Sequence, residues 1–163
     1  MNDFLIAIYI AIPTYVANST PVLLGSGTPI DRGKKFVDGR TILGTNKTVK
    51  GFTYGFLLGS VAALAEAVLF ENYLLVLAGI VASLGALLGD LFGAFVKRRL
   101  DISPGHPLPV VDQLDFILGA VLLTSPVLNV TWGAVLILVI ATLPIHLLSN
   151  AIAYMLRLKK RLW

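Results

Sequence analysis

The sequence contains no cysteine. Disulfides, thiolate nucleophiles, iron–sulfur clusters and cysteine-based zinc sites are therefore excluded. With only two histidines in 163 residues, a structural zinc site is not expected either. The remaining metal-binding side chains are oxygen donors, which favour Mg²⁺ or a similar hard cation.

Charged residues are also scarce. They make up 13% of the chain, whereas soluble domains contain roughly 25%. Hydrophobic residues make up 56%, and the mean hydropathy is +0.85. This balance predicts one compact membrane-embedded domain over residues 1–163, with no room for a separate soluble domain.

Five apolar runs are long enough to cross a bilayer, because a spanning helix needs about 20 mostly apolar residues. The predicted fold is therefore all-α and integral to the membrane, with five transmembrane helices. Two polar loops remain, Gly25–Lys50 and Lys97–Val111. Pro13 is expected to kink the first helix, and Asn18–Pro21 to close it. The predicted spans are Phe4–Leu24, Gly51–Phe70, Tyr73–Val96, Asp112–Leu128 and Val130–Leu156.

All basic residues lie at one end of these helices. They occur in the first loop, at the Lys97–Arg99 corner and in the tail Arg157–Arg161, while the opposite turns carry none. Since Lys and Arg collect in short cytoplasmic loops, both polar loops and the C-terminus are predicted to be cytoplasmic and the N-terminus outside. The chain is thus expected to be a multi-pass protein of the cell membrane. Asp3 gives the N-terminus an acidic character unlike a secretory signal, so it is expected to remain as the first helix.

Three aspartates flank the second loop. Asp90 lies seven residues before Lys97, about 10 Å inside the predicted span at ~1.5 Å per residue. A carboxylate at that depth usually faces a polar cavity or an ion, although a structural pair with Lys97 or Arg98 is an alternative. Asp112 and Asp115 are three residues apart and share a helix face. Helix capping would explain Asp112 alone, so the three aspartates together predict an oxygen-rich metal site.

Basic and glycine residues alternate in the first loop, a pattern that suits a polyphosphate. A surface for anionic lipid headgroups is the alternative. Asn46 is a candidate for contact with a base or ribose. The basic residues of this loop are Arg32, Lys34, Lys35, Arg40, Lys47 and Lys50.

The second loop offers further phosphate ligands. Lys97, Arg98 and Arg99 either bind phosphate or anchor the helix end by reaching lipid headgroups. His106 lies between Pro104-Gly105 and Pro107 in a rigid turn; it contacts phosphate or is an ordinary hydrogen-bonded loop histidine. His146, inside the fifth span, is a candidate for the cavity lining.

The stretch Gly89–Asp115 resembles the signature of the CTP:phosphatidate cytidylyltransferase superfamily. That signature has an acidic residue in a helix, a Lys-Arg pair, a Pro-Gly-His turn and two aspartates three apart, here Asp90, Lys97-Arg98, Pro104-Gly105-His106, Asp112 and Asp115. The chain departs from the bacterial form, because Pro107-Leu108-Pro109 replaces a glycine pair and Gln113 replaces the usual Arg. It is similar instead to the archaeal branch, the CDP-archaeol synthases, also in the first-loop blocks Pro29–Asp31, Phe36–Arg40, Ile42–Gly44 and Lys47–Gly51.

This resemblance implies a Mg²⁺-dependent nucleotidyltransferase that transfers CMP from CTP to 2,3-bis-O-geranylgeranylglycerol 1-phosphate. The implied partners are CTP, an isoprenoid ether lipid phosphate from the inner leaflet and the surrounding membrane lipids, with no nucleic acid. Together with the residue patterns, it gives the catalytic residues and metal ligands as Asp90, Asp112 and Asp115. The expected nucleotide-binding residues are Arg40, Asn46, Lys47, Lys50, Lys97, Arg98 and His106.

Two other functions compete with this hypothesis. A CDP-alcohol phosphotransferase would need a long aspartate motif that this sequence does not contain. A small ion or solute transporter, or a channel subunit, would explain the spans and Asp90. It would not explain why basic and acidic residues lie at the same end of the predicted bundle.

Overall fold

A computed structural model describes residues 1–73 and 75–155. Within that range the chain forms five α-helices, with two isolated β-bridges in the first loop. The all-helical prediction is thus confirmed, while the basic tail Arg157–Arg161 lies outside the described residues. The helices are α1 Asp3–Leu24, α2 Val49–Leu69, α3 Leu75–Arg99, α4 Val111–Thr124 and α5 Trp132–Met155.

Four of these helices, α1, α2, α3 and α5, are long and apolar enough to cross a membrane. Helix α4 has 14 residues, or about 21 Å at 1.5 Å per residue, which is shorter than a hydrocarbon core of about 30 Å. It ends at Thr124, two residues before Pro126, because proline cannot continue the hydrogen-bond ladder. A fifth crossing therefore stays a prediction.

Helix α1 ends at Leu24, where its predicted span ends, but Asn18–Pro21 does not close it, because the helix continues through Pro21, packed along α2 and α3. The end of α3 differs from the sequence prediction. Helix α3 continues past Val96 and includes Lys97–Arg99 in its last turn. Positive charge there interacts favourably with the carboxyl end of the helix, so the second loop begins only at Leu100.

Helix α1 lies at the centre of the bundle and packs against each of the other four helices. The core cluster around it is apolar and draws on α1, α3, α4 and α5. Glu66 of α2 is buried within the bundle. The largest members of the core cluster are Ile6, Ile10, Phe116, Ile117 and Leu138.

Glycines bring α3 and α4 into close contact. A methyl group on Gly85 would stand 2.8 Å from the Cα of Ala120, and Gly89 lies equally tightly against the backbone of Asp115. Gly85, Gly89 and Gly93 recur every four residues along α3, and small residues at that spacing allow helix backbones to approach in lipid. The contact holds Asp90 of α3 beside the first turn of α4.

The first loop is folded around a buried carboxylate. Asp31 accepts hydrogen bonds from the N–H groups of Gly33 (3.0 Å), Leu43 (2.8 Å) and Gly44 (2.9 Å). Burial alone would raise the pKa of this carboxyl, but these N–H groups outweigh it and hold the pKa below its ordinary value. A bridge between Pro29 and Thr48 closes the loop at its base.

The same loop is fastened to the end of α3 by Arg99. Its guanidinium carbon stands 4.8 Å from the ring centre of Phe36 and 4.9 Å from that of Phe95. Its nitrogens lie 3.1 Å from the Asp38 carboxylate and donate to the Thr41 carbonyl at 2.6 Å. Arg99 therefore stabilises the fold of the first loop. The folded loop in turn positions the loop residues that follow Thr41.

Candidate active site

A cavity of about 880 Å³ lies at the end of the bundle where the two loops meet. Its wall is built by the last turns of α1 and α3, both loops, the first turn of α4 and the C-terminal half of α5. The lining combines hydrophobic residues, among them Val22 and Leu23, with charged residues. The charged side chains in the wall are Lys47, Asp90, Lys97, Arg98 and Asp112.

Asp90 and Lys47 form an ion pair in this wall. The Lys47 ammonium lies 2.6 Å from each Asp90 carboxylate oxygen. Lys47 reaches it because the loop backbone is held at that point, where the Ile30 N–H donates to the Lys47 carbonyl at 2.8 Å. Asp90 is thus paired with a first-loop lysine, not with Lys97 or Arg98 as one alternative proposed.

Asp112 and Lys97 form a second ion pair, with 2.7 Å between the ammonium and the carboxylate. The other Asp112 oxygen accepts the Leu108 N–H at 2.9 Å, which fixes the end of the second loop onto the start of α4. Lys97 also donates to the His106 carbonyl at 3.3 Å. Asp112 therefore connects the start of α4 to the second loop and to α3. These contacts go further than helix capping, the alternative considered for Asp112 from the sequence.

Asp115 is not among the residues that line the cavity. Its carboxylate lies directly against Gly93 of α3, and it accepts the Phe116 N–H at 2.6 Å. The part of the chain that the structure describes holds no group of three His, Asp or Glu side chains placed to bind one metal ion. A single site formed by Asp90, Asp112 and Asp115 thus stays a prediction, while Asp90 and Asp112 share the wall.

Arg98 is the most deeply placed cation of the wall, with only 5% of the residue exposed. Its Nε and Nη1 atoms have no hydrogen-bond partner among the described residues. Gly44 leaves space for it, since a methyl group there would stand 3.3 Å from Nη1. A buried guanidinium with unused donors is suited to bind a phosphate through paired hydrogen bonds.

The other predicted ligands divide into two groups. Asn46, His106 and the candidate His146 line the cavity. Arg40 and Lys50 do not. Arg40 pairs with Asp101 at 3.1 Å and donates to the Arg99 carbonyl at 2.8 Å, and Lys50 lies over the Tyr54 ring at 5.7 Å.

Polar residues that the sequence analysis did not select also line the cavity, among them Asn18 and Ser26. The available signal for Asn18 was an amide inside an apolar run, which was assigned to the end of the first helix. Because α1 continues to Leu24, Asn18 lies within the helix and lines the cavity. Nothing in the local sequence distinguishes Ser26 from other loop residues.

Comparison with known proteins gives matches along the whole chain. A family model described as CarS-like, CDP-archaeol synthase, matches residues 1–163. The chain is 42% identical to the CDP-archaeol synthase of Pyrococcus abyssi, with 100% of both chains covered. It is 44% identical to that of Aeropyrum pernix, covering 100% of this chain and 94% of the relative. A solved structure described as an intramembrane enzyme for archaeal membrane lipids biosynthesis is similar with a TM-score of 0.85 and 41% identity, over 90% of this chain and 93% of that one.

Proposed function

The chain belongs to the CDP-archaeol synthase family, and we propose on that premise that its cavity transfers CMP from CTP to 2,3-bis-O-geranylgeranylglycerol 1-phosphate. The products are the CDP-lipid and pyrophosphate. The observation that carries the proposal is the wall itself, in which two carboxylates, two lysines and a buried arginine meet. A transporter has no need of this arrangement, and the family model and the relatives reported above are CDP-archaeol synthases.

The size and chemistry of the cavity fit two substrates. Small-molecule sites usually measure about 300–1,000 Å³, so 880 Å³ accommodates a nucleotide beside a lipid headgroup. Lys47, Lys97 and Arg98 in the lining are available for phosphates. Val22 and Leu23 in the lining are apolar and suit the lipid.

The proposed reaction is an in-line displacement at the α-phosphorus of CTP. An oxygen of the lipid phosphate forms the new P–O bond, the bond to the β-phosphate oxygen breaks, and pyrophosphate leaves. The attacking oxygen is already anionic, so no strong general base is required. Lys47, Lys97 and Arg98 orient the phosphates and neutralise their charge, and catalysis is chiefly positioning and electrostatic stabilisation.

Asp90 and Asp112 would hold the Mg²⁺ ion, because carboxylate oxygens are the ligands this hard cation prefers. When bound, the ion would supply neutralisation of charge on the transferred phosphoryl group. Asp115 is proposed as the third member of this acidic group. Its carboxylate lies against Gly93, and Asp115 is not among the residues that line the cavity.

The proposed arrangement in the cell has five helices in the cell membrane, with both loops on the cytoplasmic side. CTP then approaches from the cytoplasm, and the lipid phosphate reaches the cavity from the inner leaflet with its isoprenoid chains still in the bilayer. The support is the location of every Lys and Arg at the loop end of the bundle or in the tail.

The proposal is tested with purified protein in detergent, Mg²⁺ and labelled CTP. One reaction contains the geranylgeranyl ether phosphate and the other a diacyl phosphatidic acid. We expect CMP transfer to the ether lipid, lost when EDTA is added. Transfer to the diacyl lipid alone, or to neither lipid by folded protein, would contradict the proposed function.

A further inference from the structure

Each carboxylate in the cavity wall is already neutralised by a lysine of the same chain. Lys47 pairs with Asp90 at 2.6 Å, and Lys97 pairs with Asp112 at 2.7 Å. These two carboxylates are also the residues assigned to the divalent cation above. The protein therefore carries its own competing cations at the place where the metal ion is to bind.

Both lysines extend flexible side chains from a fixed backbone. Their backbones are fixed, Lys47 by the bridge beside it at Thr48 and Lys97 by the last turn of α3. The side chains are partly exposed to the cavity, 26% for Lys47 and 15% for Lys97. A lysine ammonium on a flexible four-carbon stem is easily redirected to a new anion.

The charge balance of the wall favours joint binding of the cation and the nucleotide. Three cationic side chains and two carboxylates line the cavity, which gives a formal charge of +1 with histidines neutral. A divalent cation alone would raise that charge and leave a displaced ammonium group beside Arg98. The triphosphate of a nucleotide supplies the anion that the displaced lysines need.

We propose that Lys47 and Lys97 couple metal binding to nucleotide binding by competing for Asp90 and Asp112. Each lysine weakens binding of the cation alone and then turns to the phosphates when the two ligands arrive together. Since coupling between two ligands is reciprocal, each ligand raises the affinity for the other. This inference rests on the proposed function, and it adds a role for the lysines in the order and strength of binding.

The test measures Mn²⁺ binding without nucleotide, by the electron paramagnetic resonance signal of the free ion, on purified protein in detergent. Lys47→Met removes the competing charge at Asp90, and we expect it to bind Mn²⁺ at least about tenfold more tightly than the unchanged protein, given the Coulomb energy of a close charge pair. Lys47→Arg keeps the charge and is expected to stay near the original affinity. Lys35→Met, which changes an exposed lysine of the same loop, is the matched control.

Nucleotide binding provides the second half of the test. In Lys47→Met, Mn²⁺ should strengthen CTP binding by a smaller factor than in the unchanged protein, because one coupling lysine is gone. The tighter Mn²⁺ site must disappear in the double variant Lys47→Met/Asp90→Asn, which shows that it is the site at Asp90. If Lys47→Met does not fold, Lys97→Met and the double variant Lys97→Met/Asp112→Asn provide the same comparison at Asp112.

The inference is overturned if neither folded lysine variant binds Mn²⁺ more tightly than the unchanged protein, or if Lys35→Met shows the same increase. That outcome would leave the proposed function standing, provided the unchanged protein transfers CMP. Failure of CMP transfer would contradict the function whatever the Mn²⁺ affinities are. The two failures are therefore distinguishable.

Discussion

At the scale of single residues, Arg98 differs from the other cations of the cavity. Lys47 and Lys97 have carboxylate partners, whereas two nitrogens of the buried Arg98 guanidinium have no hydrogen-bond partner among the described residues. Burying such a group without partners costs free energy. We propose that a substrate phosphate supplies the missing acceptors when the nucleotide is bound.

Replacing Arg98 tests this role. We expect Arg98→Met to lower kcat/KM for CMP transfer by roughly 10- to 100-fold, since a hydrogen bond to a charged group contributes about 1.5–3 kcal/mol. Arg98→Lys should recover only part of that loss, because a lysine cannot form the paired contacts of a guanidinium. Steady-state transfer at varied CTP concentration measures the effect. If folded Arg98→Met keeps the original kcat/KM, the guanidinium does not contact the substrate.

Asp31 gives a prediction at the same scale, for stability against pH. Its pKa is lowered in the folded chain, so the ionised form contributes stability that is present above the unfolded pKa. That contribution is lost as the pH falls through the lower folded pKa. Asp31→Asn should therefore be less stable than the unchanged protein at neutral pH, by about 1.5 kcal/mol or more. Thermal unfolding in detergent should show the difference shrinking below about pH 4, and a difference independent of pH would contradict the account.

At the scale of helices, the contact of α3 with α4 decides the site, because it brings Asp90 and Asp112 to one wall. The spacing of Gly85, Gly89 and Gly93 on α3 favours this close packing. The length of α4 was not predicted correctly. The apolar run continues to Leu128, whereas the helix ends at Thr124, before Pro126. The end of α3 was also placed too early, because charged residues were taken as loop although a helix end accommodates them.

Enlarging a glycine in this contact should loosen the site. Gly85→Val puts side-chain atoms against the backbone of Ala120, and overpacking of this kind costs about 1–3 kcal/mol. We expect lower thermal stability together with reduced CMP transfer, as the two carboxylates move apart. Leu77→Phe enlarges an exposed position of the same helix and is expected to change neither. Equal behaviour of the two variants would show that the helix contact does not set the site.

At the scale of the whole molecule, the sequence predicted the helical membrane fold and selected the five charged side chains that line the cavity. It did not predict which cation pairs with which anion. Asp90 is paired with Lys47, 43 positions away, and Arg40 reaches the Arg99 carbonyl across 59 positions. Such pairs depend on how the loop folds over α3, and local spacing contains no information on that distance. For this reason Arg40, a predicted ligand, lies outside the cavity lining.

The proposed orientation in the membrane is testable because the chain has no cysteine. Single cysteines at Val37, which is 95% exposed in the first loop, and at Glu71, exposed in the turn after α2, provide two reporters. In intact cells a membrane-impermeant maleimide should label Glu71→Cys, and it should label Val37→Cys only after permeabilisation. The reverse pattern would contradict the predicted sidedness.

In the proposed function, the cavity lined by Asp90 and Asp112 carries out CMP transfer. The most direct measurement compares labelled-CTP turnover on the ether lipid phosphate by the unchanged protein, Asp90→Asn, Asp112→Asn and the control Lys35→Met. We expect turnover to fall by at least about 100-fold in both aspartate variants, as for loss of a main electrostatic contribution. Thermal unfolding should show that both variants stay folded. Lys35→Met should stay fully active. Near-normal turnover in both folded aspartate variants would contradict the claim and place the reaction outside this cavity.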